Sequence, residues 1–271
     1  MPVIHNEAGR GWRHLDRAAQ LRNWLLWLVG TALFVVAWQF ISEQTIWAFV
    51  EDAPQQGASL VARMFPPEWS YMDRLWLPLW DTLNIATLGT LLGILAAIPL
   101  AFLTARNTTP SATLVRPAAL FLIVASRSIN SLIWALLLVT ILGPGVLAGI
   151  IAIGLRSVGF IGKLLYEAIE EIDATQVEAV TATGASGPQV LAYGIVPQIL
   201  PAFAGISVFR WDINIRESTV LGLVGAGGIG LQLNASISTL AWGQASTIFL
   251  VILLTVILSE WVSAKVRHAI I

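Results

Sequence analysis

Long apolar runs recur along the chain, each bounded by a short segment that is polar or marked by glycine and proline. About 20 apolar residues are needed to cross a hydrocarbon core of about 30 Å. Six segments reach that length, at 24–41, 79–103, 114–142, 146–168, 198–224 and 245–263. The third and fifth exceed the minimum and contain charges, which predicts tilt, a kink or a face turned toward a cavity. The pattern therefore predicts an all-α, polytopic membrane protein with about six transmembrane helices. It also divides the chain: residues 1–78 hold a tail, the first helix and a long connecting segment, and residues 79–271 hold a core of five helices. Residues 1–23 are polar and basic, but the apolar run behind them is as long as a full span and lacks a small-residue cleavage site. That combination reads as a retained helix rather than a signal peptide.

Composition agrees with this picture. The 271 residues are 56% hydrophobic and only 11% charged, against about 25% charged in an ordinary soluble domain, and the mean hydropathy is +0.77. A net charge of −1 gives no reason to expect a nucleic-acid partner. Cysteine is absent, and the histidines His5, His14 and His268 are scattered, so neither a disulfide nor a metal site is expected. Twelve tryptophans suit a chain with two water–bilayer interfaces.

Orientation follows from lysine and arginine in the short flanks. An inside N-terminus places Arg10, Arg13, Arg17, Arg22, Arg106, Arg116, Lys265 and Arg267 on the cytoplasmic side. The outer side then keeps Arg63 and Arg74, beside Glu43, Glu51, Asp52, Glu68 and Asp73. Both termini are thus expected on the cytoplasmic side of the membrane. The outer 42–78 segment is rich in Trp, Phe and Pro, which fits either a stretch lying along the interface or a plain connecting loop.

The same topology puts a polar, acidic island inside. Glu167, Glu170, Glu171 and Asp173 carry the fourth span out of the membrane, and Asp173 or Thr175 can cap a short helix from about Gln176. That helix should end at Gly184, and a second piece from about Pro188 should run back to the membrane, punctuated by Pro197 and Pro201. A solvated loop is the plain reading.

The residues of the island add a second one. Glu178-Ala179-Val180, Gly184 and Pro197 resemble, in register, the EAA loop of binding-protein-dependent ABC importer permeases; Val180, Gly194 and Val196 depart from its pattern. The stretches beginning at Ser126, Phe160 and Ile213 look like the phosphonate-type branch of that family, and the resemblance covers roughly 80–267. It implies a type I importer permease fold and a coupling helix seated on a separate ATPase, with Glu178, Ala179, Gly184, Ala185 and Pro197 forming the contact. It further implies two ATP-binding subunits, which would hold ATP and Mg, and an extracytoplasmic solute-binding protein. The chain itself is expected to hold no cofactor and to be no enzyme. Six spans without an internal repeat imply a second copy of the chain to complete a path.

Transport against a gradient needs an engine, and none is legible here. The two lysines, Lys163 and Lys265, are followed by Leu164 and Val266, so no phosphate-binding Gly-Lys-Ser/Thr loop exists. Gly225-Ala226-Gly227-Gly228-Ile229-Gly230 satisfies G-x-G-x-x-G, but the required acid about 20 residues on is missing. A flexible or tightly packed turn, or a gate built on Gly225, Gly227, Gly228 and Gly230, is the better reading. Gly89 and Gly93 form a small-xxx-small pair for helix packing.

Four arginines fall within the spans: Arg127, Arg156, Arg210 and Arg216. Each central arginine facing lipid costs roughly 2.5–3.5 kcal/mol on insertion scales, so all four should face water or a partner. One reading is an anion route, with guanidinium forks taking an oxyanion and Ser128, Asn130, Ser131, Asn214 and Ser218 adding neutral donors. The other is structural pairing, Arg210 with Asp212 and Arg216 with Glu217. Arg127 and Arg156 have no neighbouring carboxylate in sequence, which favours the route for them.

The expectation is thus a homodimeric permease of an ATP-driven importer for a phosphorus oxyanion. The alternatives are the same architecture for methionine or a non-phosphorus oxyanion, or a gradient-driven transporter in which Asp212 titrates. No paired acids, metal ligands or Ser-His set supports an intramembrane enzyme.

Overall fold

A computed structural model describes residues 3–6, 9–12 and 17–270. Arg13 and His14 lie outside the described residues, as do the side chains of His5 and Arg10. The chain divides into two compact units, Met1–Leu60 and Val61–Ile271.

In the first unit a hairpin that the apolar pattern did not predict pairs β1 (Val3–Asn6) antiparallel with β2 (Gly9–Trp12). Helix α1 (Arg17–Gln44) follows, with none of its side chains buried and Trp24, Trp27, Phe34 and Trp38 exposed. An apolar surface of that extent is stable only in lipid or against protein. The Trp38 ring lies 6.4 Å from that of Trp47, which opens α2 (Trp47–Met64). Most of the 42–78 segment is therefore regular helix rather than loop.

Among the described residues, the second unit contains the end of α2, a 3₁₀ turn (Trp69–Arg74) and nine further helices: α3 (Trp76–Thr104), α4 (Val115–Ser128), α5 (Ser131–Leu142), α6 (Val146–Glu170), α7 (Ala174–Ala182), α8 (Gly187–Val190), α9 (Val196–Gly222), α10 (Ile229–Ser238) and α11 (Trp242–Ile270). Among the described residues, five helices are long and apolar enough to cross a membrane, namely α1, α3, α6, the continuous Gly187–Gly222 run and α11. The third predicted span is two helices, α4 and α5, bent by 87°. Asn130 causes the break: its backbone is extended and its side chain accepts from the Leu132 N–H at 3.1 Å, capping α5 where a straight helix would have continued.

Small residues set the packing. A Cβ on Gly93 of α3 would stand 2.4 Å from the Ser157 Cβ of α6, so these two helices meet at a distance only a bare backbone allows. On the other side of α6, a Cβ on Gly159 would stand 2.5 Å from the Ile123 carbonyl of α4. Gly159→Ala is expected to push α4 off α6 at a cost of about 1–3 kcal/mol, the range for overpacking a tight contact. A lower melting temperature of the purified protein checks this, and an unchanged one would contradict it.

The core closes at both ends. At one, the Gly145 N–H donates to the Gly225 carbonyl at 3.0 Å, the Ile229 N–H to Thr82 Oγ1 at 2.8 Å and the Glu68 N–H to the Gly243 carbonyl at 3.1 Å. Helix α10, which the sequence reading did not foresee, buries Ile229 and Leu233 there against Tyr71, Leu75 and Ile248. At the other end the 105–114 connection meets the end of α6, below which α7 and α8 project.

Candidate functional site

The acidic island folds much as its caps dictate. Asp173 accepts from the Thr175 N–H at 2.9 Å and starts α7. Gly184 follows the helix with φ +81, a left-handed conformation that glycine adopts without penalty. The Ser186 N–H then donates to Gln189 Oε1 at 2.8 Å and starts α8. The chain passes through a wider turn at Leu191–Ile195 into α9, with Pro197 in the first turn, where its missing N–H does no harm. Ala179, Gly184 and Ala185 come together with Val180, Thr183 and Tyr193 around an open cleft of about 600 Å³. Tyr193 is 73% exposed. Glu178 is exposed and makes no ion pair among the described residues. Pro197 stands apart from this cleft.

The base of the island is latched by contacts that sequence reasoning missed. Glu170 accepts from the Arg106 N–H at 2.9 Å and lies 3.6 Å from the Arg116 guanidinium. The Asp173 N–H donates to Gln198 Oε1 at 2.9 Å. The signal that could have found the latch was the opposite charge of the 105–116 and 167–173 segments on the same predicted side.

Within the spans the arginines divide into three arrangements. Glu217 sits between two of them, with Arg156 Nη1 2.7 Å from Oε1 and Arg210 Nη2 3.4 Å from Oε2. Arg210 is 2% exposed, donates from Nε to Ser157 Oγ at 3.0 Å and stacks its guanidinium 5.1 Å from the Phe160 ring centre. Arg156 is more open and also donates to Ser131 Oγ at 3.3 Å. Arg216 instead pairs with Asp212, whose other oxygen accepts from Ser259 Oγ at 2.8 Å.

These pairings correct the sequence expectation. The sequence sets Arg210 beside Asp212 and Arg216 beside Glu217, whereas in the fold the partners are exchanged. Residues one or two apart on a helix point in different directions, and residues four or seven apart share a face. Arg156, which has no carboxylate nearby in sequence, receives one from a different helix.

Of the neutral donors, Ser131, Asn214 and Ser218 are buried, and Ser128 and Asn130 are exposed. Asn214 is wholly buried and donates to Thr90 Oγ1 at 2.7 Å and Ser157 Oγ at 3.0 Å. Ser128 and Ser218 donate to the backbone carbonyls of Val124 and Ile215, and Asn130 caps α5. Only Ser131, among those expected to help an anion, reaches a guanidinium. Ser157 and Thr90 were missed, although Ser157 was visible as the polar neighbour of Arg156 in an apolar span.

Arg127 is different. It is exposed, has no carboxylate partner among the described residues, and lines a cleft of about 280 Å³ with Ser128, Lys163 and Tyr166.

The glycine-rich turn is packed solid. Gly225, Gly227 and Gly228 have φ of +89, +83 and +76, and a Cβ on Gly230 would stand 1.9 Å from the Thr219 carbonyl. With Ala226 and Ile229 fully buried, nothing in it resembles a nucleotide cradle.

Residues 89–263 match the family described as the binding-protein-dependent transport system inner membrane component. The phosphite transport system permease protein PtxC of Stutzerimonas stutzeri is 42% identical over 78% of this chain and 76% of its own length. The same organism's putative phosphite transport system permease protein HtxC is 34% identical over 94% of this chain and 90% of its own length. In fold, a chain of the inward-facing MetNI methionine ABC transporter superposes with a TM-score of 0.66 at 20% identity, over 75% of this chain and 99% of that one.

Proposed function

Because this chain belongs to the family of inner membrane components of binding-protein-dependent transport systems, with the fold of a type I ABC importer permease, we propose that it passes a phosphorus oxyanion, phosphite or a phosphonate, across the inner membrane. Relatives that carry phosphite in their names match it over most of its length. The observation that carries the reading is the Arg156–Glu217–Arg210 cluster. Two guanidinium groups share one carboxylate, which leaves a net positive charge deep in an apolar chain. Arg156 is the accessible member. An oxyanion approaching it can take its free N–H groups while Glu217 draws back on Arg210, so the cargo exchanges with a resident anion and is released as readily as it is taken.

Energy for the cycle comes from two ATP-binding subunits docked at α7, since this chain has no phosphate-binding loop. The Glu170 latch to Arg106 and Arg116 ties α7's base to the 105–114 connection, so that a push on α7 moves α3, α4 and α6 together. A solute-binding protein delivers cargo at the opposite end, and a second copy of this chain completes the path. Lysine and arginine in the short flanks support a cytoplasmic position for both termini.

Cells producing the complete transporter are expected to take up phosphite, with no competition from excess methionine or sulfate. Arg156→Ala should lower uptake at least about tenfold, the loss of one charge-assisted hydrogen bond of about 1.5–3 kcal/mol. The permease should still assemble, because Arg210 and Glu217 remain a neutral pair. Undiminished uptake by Arg156→Ala, or competition by methionine, would overturn the proposal.

A further inference from the structure

We propose that the cleft between α4 and α6 is a second anion site, taking one phosphate-type oxyanion between Arg127 and Lys163 with Tyr166 and Ser128 beside it.

The site is built by the crossing of the two helices. Gly159 lets α4 approach the backbone of α6. Ser126 Oγ accepts from the Gly159 N–H at 2.9 Å and donates to the Leu155 carbonyl, which fixes the register. Arg127 is the next residue along α4, and Lys163 lies one turn beyond Gly159, so both cations line the same cleft. Its walls are completed by Leu120 and Val124.

The charges there are unbalanced. Arg156, Arg210 and Arg216 each have a carboxylate within the protein, and Arg127 has none among the described residues. Among the described residues Lys163 is paired only with Glu167, at 3.3 Å, and both side chains are more than a third exposed. An ion pair that open contributes about 0–1 kcal/mol and is readily exchanged. Two cations against one carboxylate leave the cleft net positive. An arginine within a membrane span without a partner calls for water or an anion. A volume of about 280 Å³ holds a small oxyanion together with several waters, each water taking about 30 Å³.

The cleft runs from the α7-bearing half of the core toward its middle. At about 1.5 Å per residue, Lys163 is ~10 Å from Glu170 and Arg127 is ~18 Å from Val115. An anion there is either cargo on its way out or the phosphate headgroup of an anionic lipid from the adjoining leaflet; the cargo source rests on the transport reading, the lipid source does not. The chemistry is shared: a tetrahedral phosphorus oxyanion met by a guanidinium fork and an ammonium.

The test uses the permease with its ATPase subunits in nanodiscs. In phosphatidylcholine discs, ³¹P line broadening of added methylphosphonate reads the cargo source. In discs containing phosphatidylglycerol, native mass spectrometry reads how many anionic lipids the complex retains. Arg127→Gln changes an exposed side chain and Lys163→Gln a half-buried one at the cleft, and neither is part of the packed core. Each is expected to weaken methylphosphonate binding at least tenfold or to lose one retained phosphatidylglycerol, whereas Lys163→Arg keeps the wild-type result. Unchanged binding in both arms would overturn the site. Phosphite uptake by the wild-type transporter, measured alongside, separates the two ideas: normal uptake with both binding arms unchanged removes this site alone, and no uptake with a lost lipid removes the cargo reading alone.

Discussion

Glu217→Ala is expected to remove folded permease from the membrane. That carboxylate is the shared partner of Arg156 and Arg210, and Arg210 is 2% exposed with Ser157 as its other hydrogen-bond partner. Breaking a buried ion pair by deleting one member costs about 3–5 kcal/mol, because a buried charge is left without compensation. Against a total stability of about 5–15 kcal/mol, such a loss is a large share. Two guanidinium groups would also then repel each other across the vacated position. Arg156→Ala makes the contrast, since it deletes a cation and leaves a matched pair. Quantifying membrane-inserted protein and its melting temperature for both variants checks the arithmetic: Glu217→Ala should fall far below wild type and Arg156→Ala should stay near it. Wild-type amounts and melting for Glu217→Ala would mean that the cluster does not hold the core together.

Substitutions in the α7 turn are expected to do the reverse, sparing the fold and abolishing function. Glu178 touches nothing charged in its own chain among the described residues, and a Cβ on Gly184 would meet no atom within 4 Å. Neither residue is therefore required by the packing of this chain. The restriction at Gly184 is its φ of +81, which costs an L residue roughly 1–2 kcal/mol, more for a β-branched side chain and less for asparagine. Gly184→Val and Glu178→Lys should each abolish the stimulation of ATP hydrolysis by the loaded binding protein, with normal amounts of permease in the membrane. Gly184→Asn should retain it. Normal stimulation in Gly184→Val and Glu178→Lys would show that α7 is not where the ATPase acts.

How much of this was legible in the sequence varies with the kind of signal. Spans were readable because apolar length is a local property, and the α7–α8 turn was readable because Asp173 and Gly184 announce their conformations locally. The break at Asn130 was foreshadowed only as a kink, since a capping side chain inside an apolar run can also face a cavity. Helix α10 was invisible because Gly225 to Gly230 looked like a loop, and its burial depends on Tyr71 and Leu75, about 160 residues earlier. The arginines show the limit most clearly. Neighbours in sequence suggested Asp212 for Arg210 and Glu217 for Arg216, but helical periodicity gives Glu217 to Arg210 and Asp212 to Arg216, and only the packing of α6 on α9 gives Glu217 to Arg156. Long-range polar contacts such as Asn214 with Thr90 and Ser157 carry no periodic signature at all.

The central claim is that this chain is the passage through which a partner ATPase drives a phosphorus oxyanion. The most direct measurement is accumulation of labelled phosphite in proteoliposomes holding the permease, its ATPase subunits and the solute-binding protein. Accumulation is expected with ATP and Mg supplied to the ATPase side, and none with a non-hydrolysable nucleotide or without the ATPase subunits. Uptake that follows an imposed ion gradient in the absence of ATP would contradict the account.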